Sequence, residues 1–225
     1  MKIAIVTASI GANSLNAPPV WDGVDYHAFV DKRLLGHPIW KTHEYFKFSS
    51  DPVYANRRNA KIYKVLPHLI LPGYDYYFWI DSTHIVEENP KVIIEKYLSE
   101  SDIAVFKHPY RNCVYEEANF IVDLKYDYPN LVESQMEFYQ DMNYPKNNGL
   151  YELSSRVQRN TPDVQRMSLM WWEQLCMYSS RDQLSFPYCL HQVGITPTIL
   201  PGKSSTHRGN KLMPEIVLSN HNRRC

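Results

Sequence analysis

The chain has 225 residues, of which 44% are hydrophobic, and its 24 Lys and Arg are balanced by 24 Asp and Glu. This length supports one sizeable core, so we expect a single domain. The charge balance excludes a global field that would favour nucleic acid or membrane as partner, although it leaves room for a local basic patch. The four cysteines are scattered, which argues against a disulfide framework or a cysteine-based metal site. A reduced, cytoplasmic setting without a membrane span is therefore expected.

The predicted elements alternate between strands and helices along the chain. Predicted strands cover 2–8, 25–31, 76–80, 101–107 and 195–200, with an edge or returning strand at 151–158. Predicted helices cover 57–66, 90–98, 130–141 and 164–178, and Ser180 can cap a further helix that Pro187 kinks or ends early. Segment 32–56 reads as irregular. The strand–helix–strand run over 76–107 predicts a βαβ unit with parallel pairing.

The most informative stretch is the aromatic strand Tyr76–Ile80 with the acidic turn that follows it. Its bulky apolar residues are typical of a strand that is buried on both faces. An unpaired carboxylate is not stable in such a core, so Asp81 must lie where the strand leaves the sheet. Ligands bind at the carboxyl ends of strands in open α/β sheets. Asp81 is thus either a ligand-binding residue or a turn residue that bonds to its own loop.

Cationic side chains precede this strand on the predicted helix 57–66. Arg58, Lys61 and Lys64 recur every three residues, while apolar side chains face elsewhere. Such a stripe is often only a solvated face. Its position just before the acid-tipped strand favours a surface that contacts phosphate, with Arg58 able to form a bidentate fork.

Four stretches in order resemble a glycosyltransferase-like family of plants and bacteria that was long catalogued as a domain of unknown function. These stretches are Arg58–His68, Trp79–Asp81, His108–Arg111 with Glu116–Glu117, and Ser180–Phe186. That family is similar to the retaining nucleotide-sugar transferases of glycosyltransferase family 8. The resemblance implies a single-domain α/β protein with the A-type glycosyltransferase fold, a Rossmann-like mixed sheet flanked by helices. It further implies a nucleotide-binding half at 1–110, an acceptor and sugar half at 111–200, and a basic tail at 201–225 that closes the donor site.

The resemblance also implies roles for individual residues. The strand-end Asp-x-Asp that holds Mn²⁺ and the donor diphosphate falls on Asp81-Ser82-Thr83, and the Asp-Gln pair that lines the donor sugar falls on Asp182 and Gln183. A C-terminal His-x-x-Gly-x-x-Lys segment loosely resembles His207–Lys211, in which His207 would bind the metal and Lys211 the phosphates. Thr83 replaces the second acid, so the metal site carries less charge. His84 and His221 compete with His207 to complete this site.

Further positions are expected to complete the donor site. A Rossmann-like half would hold the base and ribose at Thr7 and Ala8 after the first strand, and at Asp31 after the second. A second set, His108, Arg111 and Glu117, has two interpretations: contacts to the donor sugar or acceptor, or a structural ion-pair cluster.

The sequence thus predicts a glycosyltransferase that uses a nucleotide-sugar, with UDP as the expected nucleotide, Mn²⁺ or Mg²⁺ as cofactor and a retaining outcome. The expected acceptor is a glycan or another hydroxyl group. A phage-type enzyme that glycosylates hydroxymethylated DNA bases is an alternative, which the basic tail supports and the neutral net charge opposes. A non-catalytic nucleotide- or glycan-binding module is another alternative, and a hydrolase that uses Asp81 and Asp182 as a carboxylate pair is the third.

Overall fold

The structure is a computed structural model that describes residues 1–11 and 15–202, together with the backbone of 216–218. Its strands are β1 (Ile3–Ser9), β2 (Val24–Val30), β3 (Lys41–Glu44), β4 (Tyr76–Ile80), β5 (His84–Val86), β6 (Ile103–Lys107), β7 (Tyr151–Arg159), β8 (Thr198–Leu200) and β9 (Ile216–Leu218). Its α-helices are α1 (Ala55–Val65), α2 (Pro67–Ile70), α3 (Pro90–Tyr97), α4 (Val114–Asp123), α5 (Pro129–Asp141), α6 (Pro162–Met177) and α7 (Asp182–Val193). A 3-10 turn covers Lys32–Leu34.

Seven strands form one mixed sheet in the order β3-β2-β1-β4-β7-β6-β8. Strand β7 runs antiparallel to both of its neighbours, β4 and β6, while the other pairings are parallel. This architecture confirms the predicted fold class, a Rossmann-like mixed sheet flanked by helices. A second sheet pairs β5 with β9.

The predicted parallel pairing of the strands on either side of α3 is wrong. Strands β4 and β6 run in the same direction, but β7 lies between them, so each pairs with β7 instead. The sequence predicted β7 as either an edge strand or a returning strand. It is a returning strand, and it lies in the centre of the sheet. The sequence did not indicate this central position, because a central strand is ordinarily apolar throughout, whereas β7 buries the polar residues Ser155, Arg156 and Gln158.

Elements β3, β5, β9, α2 and α4 were not predicted, and of the two predicted effects of Pro187 the early helix end was wrong. Strand β3 lies within the segment that reads as irregular, because it is short and polar and pairs on one side only. The apolar periodicity of α4 is hard to recognise in the sequence, because the acidic Glu117 is among its buried residues. Helix α7 continues past Pro187 to Val193, so Pro187 does not end it early. In contrast, Asn89 caps α3 as predicted, accepting a hydrogen bond from the Lys91 backbone N–H at 3.0 Å.

Helices cover both faces of the sheet. Tyr63 of α1 packs with Val6, Phe29 and Trp79 on one face. Ile93 and Ile94 of α3 belong to the core on the other face, and α4 to α7 enclose a third core around Trp171. The carboxyl ends of the parallel strands meet at one edge, where the first residue of β7 pairs with the last of β6. No helix in the described part of the chain is long and apolar enough to cross a membrane.

Candidate active site

An ion triad at the start of α7 is the central feature of this edge. The Asp182 carboxylate lies 2.8 Å from the Lys61 ammonium and also contacts the Lys64 ammonium. Asp182 is 6% exposed and Lys64 is 4% exposed, so these charges are held away from water. The lysines come from α1 and the carboxylate from the first residue of α7, so the triad joins two helices that are distant in sequence.

The cationic stripe of α1 is composed differently from the prediction. Arg57, Lys61 and Lys64, at positions i, i+4 and i+7, share the helix face toward α7. An Arg57 Nη1–H lies 3.5 Å from the Ser180 hydroxyl. Arg58 turns away instead, pairing with Asp51 at 3.6 Å and approaching the Leu175 carbonyl oxygen at 3.5 Å. Arg58 therefore does not join the triad, and Arg57 takes its place in the stripe.

Two physical effects act on the triad in opposite directions. Burial alone would raise the pKa of Asp182, but the Lys61 and Lys64 ammonium groups hold it well below its usual range. Burial lowers the pKa of Lys61 to about 8, against the opposing attraction of Asp182 and, more weakly, of Asp81. At neutral pH Asp182 is therefore ionised, whereas Lys61 is close to its titration range.

Asp81 lies beside this triad at the carboxyl end of β4. Its Oδ1 accepts a hydrogen bond from the Trp79 indole N–H at 2.9 Å, and its backbone N–H donates to the Ser154 carbonyl at 2.7 Å. The Trp79 ring also lies 5.7 Å from the Lys64 ammonium. Trp79 thus links the strand-end carboxylate to the ion triad.

A buried carboxylate positions the first turn of α7. Asp127 is 1% exposed, and its Oδ2 accepts hydrogen bonds from the Ser179 hydroxyl at 2.9 Å and from the Ser180 N–H and hydroxyl, both at 2.7 Å. Because Ser179 and Ser180 immediately precede α7, Asp127 fixes the point at which Asp182 enters the site.

Arg156 of β7 adds a further cation, which is 2% exposed. One of its Nη groups donates to the Lys64 carbonyl at 2.8 Å, and its guanidinium lies over the Trp171 ring at 4.7 Å. Its Nε and Nη1 atoms have no hydrogen-bond partner among the described residues. Burial lowers the pKa of Arg156 to about 9, so it remains charged at neutral pH. The cluster thus brings together three basic side chains, Lys61, Lys64 and Arg156, and two acidic ones, Asp81 and Asp182.

Gln183 lies next to the triad but faces a different set of partners. Its amide N–H approaches the Tyr151 carbonyl at 3.4 Å, and its Oε1 accepts from Arg181 at 3.1 Å. The predicted Asp-Gln pair is therefore presented from the first turn of α7, next to the start of β7.

Few of the described residues could act as ligands in the predicted metal site. Within residues 1–11 and 15–202, no three His, Cys, Asp or Glu side chains group in a way that could hold a metal ion. Asp81 is half-buried, and Thr83 Oγ1 lies 3.1 Å from Nδ1 of His84. His207, Lys211 and His221 lie outside the described residues, so their predicted roles stay predictions. Asp81 alone still suits Mg²⁺ or Mn²⁺, because such ions often take one or two carboxylates and complete their shell with substrate phosphates and water.

The predicted base and ribose positions lie at the ends of β1 and β2. Asp31 accepts a hydrogen bond from the Gly11 N–H at 2.7 Å. Thr7 is buried and its hydroxyl has no partner among the described residues, while Ala8 is half-buried. Gly11 has a φ of +78°, and a Cβ there would lie 2.2 Å from the Asn56 side-chain nitrogen. This loop therefore approaches the start of α1 closely.

The second predicted set forms its own cluster after β6. The Arg111 Nε–H donates to Glu117 Oε2 at 2.5 Å, and His108 Nδ1 accepts from the Arg111 backbone N–H at 3.1 Å. Burial and the nearby Arg111 charge lower the pKa of His108 to about 4, so His108 is neutral. His108 thus shapes the turn, while Arg111 and Glu117 form the ion pair. Their contact to donor or acceptor stays a prediction.

Comparison with known proteins identifies the family. The TOD1/MUCI70, glycosyltransferase-like domain matches residues 30–200 of this chain. The chain belongs to this glycosyltransferase-like family. That membership confirms the resemblance expected from the sequence motifs, whereas similarity to glycosyltransferase family 8 stays a prediction.

Individual relatives match at low identity. The "Probable hexosyltransferase MUCI70" of Arabidopsis thaliana is 27% identical over 151 residues, which cover 60% of this chain and 25% of that protein. The match thus spans about a quarter of that relative's length. Apo mouse xyloside xylosyltransferase 1 matches with a TM-score of 0.46 and 12% identity over 86% of this chain and 82% of its own. The apo bifunctional glycosyltransferase WbbM matches with a TM-score of 0.47 and 12% identity over 89% and 39%.

Sequence reasoning missed several residues of the candidate site. Only Arg57 carried a usable signal, since it stands at helical spacing from Lys61 and Lys64. Asp127 and Arg156 act through tertiary contacts that no local pattern reveals, whereas Trp79, two residues before Asp81, lies in the Trp79–Asp81 stretch that the sequence analysis already named. The division into a nucleotide-binding half, an acceptor half and a closing tail stays a prediction, although β9 pairs with β5 shortly after Asp81.

Proposed function

We propose that this chain is a glycosyltransferase that moves a sugar from a nucleotide-sugar to a hydroxyl acceptor. The observation that carries the proposal is the largely buried Lys61–Asp182–Lys64 triad beside Asp81, at the carboxyl edge of a mixed sheet. The family supports sugar transfer. The nucleotide-sugar donor, UDP as the nucleotide, metal dependence and retention belong to the proposal.

The excess positive charge of the cluster suits a departing diphosphate. Lys61, Lys64 and Arg156 outnumber Asp81 and Asp182 by one side chain, so an anion placed here would balance the site. A divalent cation on Asp81 would neutralise the diphosphate further as a Lewis acid. Ala8 and Asp31, at the ends of the first two strands, would hold the base and ribose, with Thr7 buried beneath.

Asp182 and Gln183 would face the reacting sugar. Transfer builds positive charge at the anomeric carbon, and a carboxylate that stays ionised stabilises such charge. The lysines keep Asp182 ionised throughout the physiological pH range. The same effect disfavours the hydrolase alternative, because a general acid needs a raised pKa.

Nucleotide binding tests this proposal directly. Melting temperature should rise with UDP in the presence of Mn²⁺ more than with GDP or CMP, because a ligand that binds only the native state stabilises it. The shift should disappear in Asp81→Ala and persist in Asp22→Ala, a control at an exposed turn before β2. A rise in melting temperature that is the same without Mn²⁺ and in Asp81→Ala would support a non-catalytic nucleotide-binding module. No shift with any nucleotide would contradict the donor site.

A further inference from the structure

Two arginines converge on one tyrosine next to the triad. An Arg57 Nη1–H donates to the Tyr126 carbonyl at 2.6 Å, and the Arg181 guanidinium lies 5.5 Å from the centre of the Tyr126 ring. Arg57 stands one helical turn before Lys61, and Arg181 immediately precedes Asp182. The pair therefore borders the candidate active site.

In the described part of the chain, neither guanidinium group, that of Arg57 or that of Arg181, has a carboxylate within the ion-pair distance of 4.0 Å. The Arg181 Nε atom is buried and has no hydrogen-bond partner among the described residues. Burial and then repulsion from Arg181 lower the pKa of Arg57, and the more distant carboxylates of Asp127 and Asp182 offset this only in part. Two like charges that are close together and partly shielded from water are stabilised by an anion that bridges them.

Exposed aromatic rings continue from this pair. Tyr126 is 43% exposed and Phe120 is 37% exposed, and their ring centres lie 6.2 Å apart. Arg111 stacks over Phe120 at 3.9 Å. Partly exposed aromatic faces beside cationic groups suit a ligand that has both an apolar ring face and a negative charge.

We propose that Arg57 and Arg181 bind the carboxylate of an acidic glycan, whose sugar ring packs on Tyr126 and Phe120. A guanidinium fork matches a carboxylate in a bidentate manner. The assignment of this glycan as the acceptor rests on the proposed function, because the surface borders Asp182. A single-stranded nucleic acid fits less well, because such ligands follow a continuous positively charged groove, and here the exposed Glu116 and Asp123 of α4 interrupt the basic surface.

Binding without any donor tests the proposal. The probes are a β-1,4-linked mannuronate hexasaccharide and mannohexaose, which has the same backbone with each carboxylate replaced by a hydroxymethyl group. Titration calorimetry should detect the acidic probe and not the neutral one. Arg181→Gln and Arg57→Gln should each weaken binding at least about tenfold, equivalent to about 1.4 kcal/mol. Arg166→Gln, on an exposed arginine of α6, is the matched control and should leave affinity unchanged.

Several outcomes would overturn the proposal. Equal affinity for both hexasaccharides would show that the carboxylates do not contribute to binding. Unchanged affinity in both arginine variants would show that the glycan binds at another site. An arginine-dependent preference for a single-stranded oligonucleotide would replace the glycan with nucleic acid. If Arg57→Gln does not fold, Arg181→Lys keeps the charge without the fork and should still weaken binding. Retained glycan binding with no UDP shift would contradict the proposed function alone, whereas the reverse result would contradict only this inference.

Discussion

At the scale of single residues, Asp182 is the group on which the ion triad depends. One buried carboxylate contacts two ammonium groups, and removing it leaves both without their partner. Breaking a buried ion pair by truncating one partner costs far more than the pair itself contributes, because the remaining charge stays buried.

Asp182→Asn should therefore destabilise the protein. We expect the free energy of unfolding to fall by about 3–5 kcal/mol, as measured by urea denaturation at neutral pH. Lys61→Met should lower the free energy of unfolding less in the Asp182→Asn variant than in the wild-type protein, because the two substitutions remove groups that interact. Strict additivity of the two substitutions would contradict the ion triad.

Lys61 gives the site a pH dependence of its own. Above pH 8 the native protein loses the Lys61 proton, so the positive charge of the cluster falls and nucleoside diphosphate should bind more weakly. The unfolded chain keeps this proton up to pH 10.5, so unfolding free energy should rise over the same interval. Opposite trends in affinity and stability are thus expected. Lys61→Arg should shift the loss of affinity to higher pH, and an unchanged profile would exclude Lys61 as its cause.

At the scale of elements, the position of α7 depends on Asp127. The two serines before α7 donate three hydrogen bonds to one buried oxygen, which sets the helix start and with it Asp182. The sequence predicted α7 with Ser180 as its cap, which was wrong: the N-cap is Arg181, and the Ser180 hydroxyl donates to Asp127 instead. The sequence could not reveal that the anchor comes from the loop between α4 and α5, because that contact is made only in the tertiary structure.

Asp127→Ala should destabilise the protein by about 2–3 kcal/mol, because it leaves buried donors unsatisfied. Asp127→Asn retains an acceptor oxygen and should cost less. Both variants should lower turnover by displacing Asp182, and the loss should follow the same order. Thermal unfolding with parallel activity assays checks this, and equal effects of the two substitutions would argue that charge, not hydrogen bonding, fixes the helix.

At the scale of the whole molecule, buried neutral histidines shape the response to acid, and His27 and His108 show the largest shifts. The Tyr74 hydroxyl donates to Asp25 at 2.8 Å, so the His27 Nε2–H must donate to Tyr74, and His27 Nδ1 accepts from His43. Burial, followed by repulsion from His43, lowers the pKa of His27 to about 4. His108 has its pKa lowered to about 4 as well.

Stability should fall as the pH drops from 6.5 to about 4, because the unfolded chain takes up these protons before the native state does. Each histidine contributes at most about 3 kcal/mol to this loss. His108→Asn should remove its share while keeping an oxygen that accepts the backbone N–H groups of the turn. Urea denaturation across this interval measures the slope, and an identical slope in His108→Asn would contradict a buried neutral His108.

The sequence indicated the fold class and the chemistry at the end of β4 because both depend on local pattern. Tyr76–Ile80 could only be a buried strand, and Asp81 had to leave the sheet. Topology was harder to predict, since the polar residues of β7 concealed a central strand. Arg58 was chosen over Arg57 because three-residue spacing also fits a helix face, and only packing against α6 distinguishes them.

The most direct test of the central claim is release of nucleoside diphosphate from a panel of nucleotide-sugars, followed by NMR. The wild-type protein should release it from at least one donor, slowly to water and faster with an acceptor. Asp81→Asn and Asp182→Asn, each verified as folded at the assay temperature, should be at least about 100-fold slower. Absence of release by the wild type, or variants that match its rate, would contradict a transferase centred on this triad.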